Sequence, residues 1–383
     1  LCNCNTFQNL DSGLNKTLIQ LIDKKDIVAL GESTHGAEEF QKIRGDFVRL
    51  LVSDFNFDLI ALEASFSEIT LINSYVKNVS RTDLSKLMFK LSNPFLRNEE
   101  FSGLVEWIKQ FNITTGRVVE FTGIDTPVDS SSILNIYSTL EGEDETLVNA
   151  FDSLFRFVKT KGVFVEKNQT YILTDSAIQV KILAFKDQVN KFKIDTNKML
   201  LLHHHLDLVD QLVRRIEAFD YTTFMVARDS ALFLNLKWAI ESKRAPRTIV
   251  LAHNEHIRKQ PHVSIKTMGY FTDKHFKGRY CAIGFDFGTG SFLGIIPGVG
   301  FQTIRDSLNV SSNLSLLGTQ SPGSSYLVDL KKCDCLKGEL PMHRIGGGGQ
   351  NGGISFSTNL LENFDGFVRV EHITPLHITK KVN

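Results

Sequence analysis

The residues best suited to chemistry fall in two short clusters. In GESTHG, residues 31–36, Glu32 and His35 stand three apart on a turn whose Gly31 and Gly36 allow close backbone approach. A neutral imidazole takes a proton from water near pH 7, and a nearby carboxylate holds the ring in one tautomer and stabilises the imidazolium that forms. The pair reads either as a general base with its orienting acid or as a histidine capping the helix that follows. In AHNEHIRK, residues 252–259, His253 and His256 lie at i, i+3 on one side of a helical turn, with Asn254 and Glu255 between them. Two histidines and a carboxylate could bind zinc, but the H-E-x-x-H order of zinc proteases is absent. Donation of hydrogen bonds to a developing oxyanion is an equally good use. No metal is assigned and no cofactor is implied.

Other candidates are weaker. Adjacent helical residues point about 100° apart, so His203, His204 and His205 cannot converge on one ion, and the triplet reads as partly surface. A serine nucleophile is disfavoured because G-x-S-x-G is absent, and GTGSF at Ser291 and SPGSS at Ser324 lack a strand–elbow–helix context. Cys281, inside the apolar run RYCAIGF with no adjacent base, reads as a buried structural thiol.

The two clusters need elements that bring them together. DIVALGE, FDLIALEA, RVVEFTGID and TIVLAHNEH are four apolar runs, each ending in a polar cluster. The first is followed by EEFQKIRGDFVRLLVSDF, a helix pattern with Phe40, Ile43, Phe47, Leu50 and Leu51 on one face. This alternation predicts an α/β fold with a mixed, largely parallel central sheet flanked by helices. In open sheets of this kind ligands sit outside the carboxyl ends of the strands, so Glu32, His35, Glu63, Asp125, His253 and His256 are expected around one crevice. Residues 1–129 and 228–383 read as two parts of the core, and 130–227 as a helical insertion that shapes the crevice. After Gly284 the chain is rich in turn residues, and IGGGGQNGG at 345–353 reads as a flexible loop that lacks the ending of a phosphate-binding loop. FDGFVRVEHI offers a last strand.

With 383 residues, 43 Lys plus Arg and 43 Asp plus Glu, the balance of charge gives no reason to expect nucleic acid as a partner. No apolar run approaches the ~18 residues that span a bilayer. A small or neutral organic partner fits better. Cys2 and Cys4 form one C-x-C pair and Cys333 and Cys335 another, which reads as two disulfides joining the termini, a zinc cluster or unpaired thiols. With N-x-S/T sequons at Asn15, Asn78, Asn112, Asn168, Asn309 and Asn313, the pairs point to a secreted, glycosylated protein, the alternative being a cytoplasmic one.

The ordered segments IVALGESTHGAEEF, FDLIALEA, FTGID, ARDSALFLNLKW, VLAHNEHIRK and MGYFTDKHFKGRYCAIGFDFGTG resemble the erythromycin esterase-like family over residues 25–290, and again at FDGFVRV. That resemblance implies a small-molecule ester or hydrophobic ligand as partner, and hydrolysis of a macrolactone or related carboxylic ester by activated water rather than by a covalent nucleophile. It implies His35 as general base, Glu32, Glu39 and Glu63 as active-site carboxylates, Asp125 after the third strand, Arg228 with Asp229, and His253 with His256. In this reading Glu32 or Glu63 orients the base, and His253, His256 or Arg228 stabilises the oxyanion, with Glu39, Asp125, Asp229 and Asn254 lining the substrate. A binding protein for a hydrophobic ligand or pigment, on the same fold with catalysis lost or repurposed, is the alternative.

Overall fold

In the computed structural model the four apolar runs become neighbouring parallel strands of one sheet. The structure describes residues 7–10, 16–126, 131–160, 165–166, 169–170, 176–218, 220–243, 247–262, 264–305, 325–333, 336–348 and 355–379. Across the nine-stranded sheet the order is Phe7–Asn9, Ser325–Asp329, Gly366–Ile373, Tyr280–Ile296, Ile27–Leu30, Thr248–Leu251, Leu59–Ser65 and Glu120–Asp125, with Gly300–Arg305 paired off this path to Tyr280–Ile296. The six strands from Gly366–Ile373 to Glu120–Asp125 run parallel, and the two at the other edge join antiparallel. This is a mixed, largely parallel α/β architecture. Ile27–Leu30 and Thr248–Leu251 are buried at every position, as strands covered by helices on both faces must be.

The helix Glu38–Phe55 follows directly from the Ile27–Leu30 strand. Glu38 and Glu39 occupy its first turn, where the helix dipole favours negative charge, and Asn56 closes it in the left-handed region with its N–H on the Leu51 carbonyl. Its inward face buries Phe40, Phe47, Val48 and Leu51, and also Arg44, a charge on an otherwise apolar stripe. Residues 131–216 supply four helices, Ser131–Leu140, Glu145–Thr160, Ser176–Val189 and Thr196–Ile216, which enclose their own apolar cluster around Ile136, Phe151, Ile182 and Leu206. The helix Tyr221–Ser242 then returns to the sheet.

Two expectations fail on glycine. The turn-rich composition after Gly284 does not begin with a turn, because the strand continues unbroken from Tyr280 to Ile296. Gly288 and Gly290 serve close approach there, since a Cβ at Gly290 would stand 2.1 Å from the Ile373 carbonyl oxygen. Nor is the start of the 345–353 segment a loose loop. Ile345 and Gly346 both donate backbone N–H groups to the Ser33 carbonyl at 2.9 and 3.1 Å, and His35 N–H donates to the Gly346 carbonyl at 2.9 Å. Gly347 accepts from Ile295 N–H at 3.0 Å. Residues 345–348 therefore form a strap pinned to the GESTHG turn; 349–353 lie outside the described residues.

The histidine triplet is also more interior than expected. His203 reaches Asn190, whereas His204 stacks on Trp238 with ring centres 3.6 Å apart, and both His204 and His205 are buried against Phe66. Burial pushes both rings toward the neutral form, His205 down to about 4. Cys281 is a free, buried thiol on the central strand. Cys2, Cys4 and Cys335, on which any pairing of the C-x-C motifs depends, lie outside the described residues, as do Ser324 and the sequons at Asn15, Asn168, Asn309 and Asn313. Asn78 is exposed. Asn112 is not a free acceptor, because its amide nitrogen donates to the Val76 and Val119 carbonyls and its oxygen accepts from Val119 N–H.

Candidate active site

The GESTHG turn leaves the Ile27–Leu30 strand with almost every polar group committed. His35 Nδ1 lies 2.8 Å from Glu32 Oε1. The other carboxylate oxygen accepts from Gln41 Nε2 at 3.0 Å and pairs with Arg44 Nη2 at 3.0 Å, and Arg44 also reaches Gln41 Oε1 at 2.9 Å. Burial pushes the Glu32 carboxyl up, but Arg44 and His35 outweigh it and hold the acid ionised. Burial likewise disfavours charge on His35, and Glu32 overcomes it, so the ring titrates above its ordinary 6.5. With Nδ1–H on Glu32, Nε2 is the ring atom left to act as a base.

A second cluster lies across the turn. Arg228 Nη2 bridges Glu63 Oε1 at 2.7 Å and Asp125 Oδ2 at 2.6 Å, and Arg215 Nη1 holds the other oxygen of Asp125 at 3.2 Å. Glu63 Oε2 accepts from the backbone N–H of His253 at 2.8 Å, which ties the second strand end to the fourth. His256 Nδ1 faces Asp229 Oδ1 at 2.8 Å, and its Nε2 lies 2.9 Å from Arg228 Nη1 and 3.3 Å from Glu63 Oε1. Three carboxylates, Glu63, Asp125 and Asp229, thus face two guanidinium groups, and a protonated His256 balances the charge. Although burial opposes that charge, Asp229 and Glu63 raise the imidazole to about 10.

His253 sits between the clusters, its ring centre 5.7 Å from that of His35 and 6.5 Å from that of His256. Its Nδ1 accepts from Glu255 N–H at 3.2 Å as the cap of a short helical turn, and its Nε2 faces the Ser33 carbonyl at 3.2 Å. One ring nitrogen accepts and the other donates, so the ring is neutral, and burial lowers it to about 4.

The structure thus joins Glu63, Asp125, Arg228, Asp229, His253 and His256 in one network beside Glu32 and His35. Two expected substrate-lining residues point elsewhere. Glu39 accepts from the backbone N–H and hydroxyl of Thr374 at 2.8 and 2.7 Å, tethering the segment after the last sheet strand. Asn254 is a clamp, donating to the Phe285 carbonyl at 2.7 Å and accepting from Phe285 N–H at 3.0 Å. Among the described residues no three His, Cys, Asp or Glu side chains are arranged to hold a metal ion.

A cavity of about 30 Å³ opens between Glu32, His35, Arg44 and Glu63, floored by Phe101 and Leu104. That is room for a water molecule or two. The sequence reading missed Arg44, whose Nε and Nη1 have no hydrogen-bond partner although the side chain is buried. The signal was present as an arginine four residues after Phe40 and three before Phe47 on the buried stripe of the helix. Also missed were Arg215 and the strap at Gly346 and Gly347, whose contacts are wholly long-range.

With this geometry in view, the relatives are informative. The family model for erythromycin esterase matches residues 52–373, and the chain belongs to that family. It is 25% identical over 272 residues to erythromycin esterase type II of Escherichia coli, covering 64% of each chain. It is 22% identical over 408 residues to the putative hydrolase YbfO of Bacillus subtilis, covering 95% of this chain and 87% of that one. In fold it resembles a solved succinoglycan biosynthesis protein, with a TM-score of 0.81 at 21% identity over 95% of this chain and 92% of the other. It also resembles a mutant of the erythromycin esterase EreC in its open conformation, with a TM-score of 0.75 at 18% identity over 98% of this chain and the whole of the other.

Proposed function

We propose that the protein is a carboxylic ester hydrolase that opens a macrolactone or related ester with water activated by His35. The observation that carries the reading is the Glu32–His35 contact. It spends Nδ1 on a buried carboxylate and leaves Nε2 to take a proton. In the reaction His35 Nε2 removes a proton from water, and the oxygen attacks the ester carbonyl carbon. The tetrahedral oxyanion then collapses, the C–O bond to the alcohol breaks, and His35 returns its proton to the leaving oxygen. The products are an acid and an alcohol.

Of the three candidate oxyanion donors, the geometry favours His253. It is the histidine nearest His35, and its Nε2–H now rests on a carbonyl oxygen that a substrate oxygen can replace. Arg228 Nε and Nη2 are engaged by Asp125 and Glu63, and its Nη1 lies beside His256, so Arg228 and protonated His256 act at one remove as fixed positive charge. No serine is required in this scheme. Wild type and His35→Ala are to be compared on macrolactones and simple esters, with mass spectrometry for the addition of water. Turnover should fall by at least ~10² in His35→Ala, and full activity there refutes the scheme.

Family membership and the name of the E. coli relative support an ester substrate. We further propose that the protein works outside the cell, supported by its C-x-C pairs and its exposed sequon at Asn78. Non-reducing peptide mapping of the natively produced protein tests this, and fully reduced, unglycosylated chains count against it.

A further inference from the structure

Ser33, in the middle of the GESTHG turn, is fully buried, and three groups meet at its carbonyl oxygen. The backbone N–H groups of Ile345 and Gly346 reach it at 2.9 and 3.1 Å, and His253 Nε2 faces it at 3.2 Å. A carbonyl oxygen has two lone pairs, and the two strap amides fill them. His253 is therefore a surplus donor. It can turn to another oxygen without leaving the Ser33 carbonyl buried and unsatisfied. With the strap lifted, that carbonyl would depend on His253, and His35 N–H would lose the Gly346 carbonyl, now 2.9 Å away.

Gly346 and Gly347 bring no side chain to anchor the strap, and the chain is gripped just before it instead. His343, two residues before Ile345, ends the strand Glu339–His343 and is wholly enclosed. Its Nδ1 lies 2.8 Å from Asp286 Oδ1, and its backbone N–H donates to Asp286 Oδ2 at 3.2 Å, so one carboxylate holds both the ring and the main chain of the same residue. The imidazole also stacks on Phe287, with ring centres 4.0 Å apart at 10°. Arg344, between this grip and the strap, adds only a partly exposed ion pair with Glu255 at 3.5 Å. Asp286 is as enclosed as His343. Burial pushes its carboxyl up, but His343 and Arg369 outweigh that and hold it ionised. It follows Phe285 on the strand Tyr280–Ile296, and the Phe285 peptide is the one that Asn254 clamps beside His253. Adjacent residues of one strand thus hold the His253 segment and the strap.

Resting on the hydrolase reading, we propose that Asp286 and His343 are positioning residues for the reaction. Their buried pair holds the strap against Ser33, which fixes the His35 backbone and frees His253 to serve the oxyanion. Both are fully enclosed, so neither touches substrate nor exchanges a proton with it, and they act through the strap alone.

The test measures kcat and KM for p-nitrophenyl acetate, and amide hydrogen exchange at His35 and Gly346 by NMR, in wild type, Asp286→Asn, His343→Leu and His343→Asn. An asparagine side chain sets an amide N–H where the imidazole Nδ1–H stands and keeps the contact with Asp286, whereas leucine fills the space and removes it. Asp286→Asn and His343→Leu should lower kcat by about tenfold to a hundredfold with KM within about threefold of wild type, since a misplacement of about 1 Å costs on that scale. Exchange at His35 and Gly346 should quicken by about tenfold or more, while exchange at Ala29, in the strand before the turn, keeps its wild-type rate. His343→Asn should recover most of kcat and of the protection. A pair that only adds stability would lower Tm and leave kcat and the two exchange rates where they were, which overturns the proposal while the hydrolase reading stands. Failure of His343→Asn to recover them overturns it as well. If Asp286→Asn does not fold, the two His343 variants decide. If wild type cleaves no ester or macrolactone but the exchange rates respond and are rescued, the positioning of His35 stands and the hydrolase reading falls. Exchange rates that do not respond overturn the proposal whatever the activity.

Discussion

Replacing Glu32 with Gln keeps the shape of the side chain and an acceptor for His35 Nδ1–H while removing the charge. In the wild type that charge lifts His35 above 6.5 against its burial. Only the neutral ring takes a proton from water, so kcat/KM should rise with pH through a limb centred above 6.5. A hydrogen bond to a charged group contributes ~1.5–3 kcal/mol, and one pKa unit corresponds to ~1.4 kcal/mol. Glu32→Gln should therefore move the limb down by about one to two pH units, while the plateau falls by ~10²–10⁴ as the imidazolium loses its counter-ion. The assay is kcat/KM for a chromogenic ester from pH 4.5 to 9.5, paired with NMR titration of the His35 ring. A limb that stays in place, or moves up, would refute the assignment of His35 as the base oriented by Glu32.

Other consequences are equally direct. His256 is raised to about 10 in the fold from an ordinary 6.5, so its contribution to stability is complete below pH 6.5 and lost as pH rises through 10. Tm should fall between pH 7 and 10 in wild type, and the slope should flatten in His256→Gln. Asn254→Ala strips both partners from the Phe285 peptide inside the sheet and should cost about 2–4 kcal/mol in urea unfolding. Gly36→Ala sets a Cβ 1.8 Å from the Leu293 carbonyl oxygen, so it should destabilise by about 2 kcal/mol or more, and cost activity even where the protein folds. On glycosylation in a secretory host, Asn78→Gln should remove a glycan by mass spectrometry and Asn112→Gln should remove none.

How much was legible depended on the range of the interactions. The four strands and the helix Glu38–Phe55 announce themselves through local periodicity, and the polar residue after each strand had to land at the carboxyl edge once the sheet was parallel. Glu63, Asp125 and His253 follow from that rule, whereas Arg228, on the helix Tyr221–Ser242, was reached only through the family resemblance. The roles of Asn254 and Glu39 did not, because an amide that clamps Phe285 and a carboxylate that holds Thr374 look the same in sequence as groups that face a ligand. Some glycines after residue 284 were misread for a related reason. Composition signals turns, which Gly298 and Gly300 do serve at positive φ, whereas Gly290 and Gly346 are used for close backbone approach to Ile373 and His35, which only the folded pairing reveals.

The way the GESTHG turn is held bears on how the protein is made. Gly36, near the start of the chain, takes its carbonyl's partners from the N–H groups of Leu293 and Leu376, Glu38 donates to Thr374, and His35 donates to Gly346. A ribosome that has released the first 280 residues has delivered every side chain of the two histidine clusters and none of these braces. Competence therefore arrives late and nearly all at once, when the final segments dock. A chain cut after residue 340 should keep both histidine clusters and lack an active site, so interrupted synthesis or C-terminal clipping would leave a silent protein rather than a partly active one.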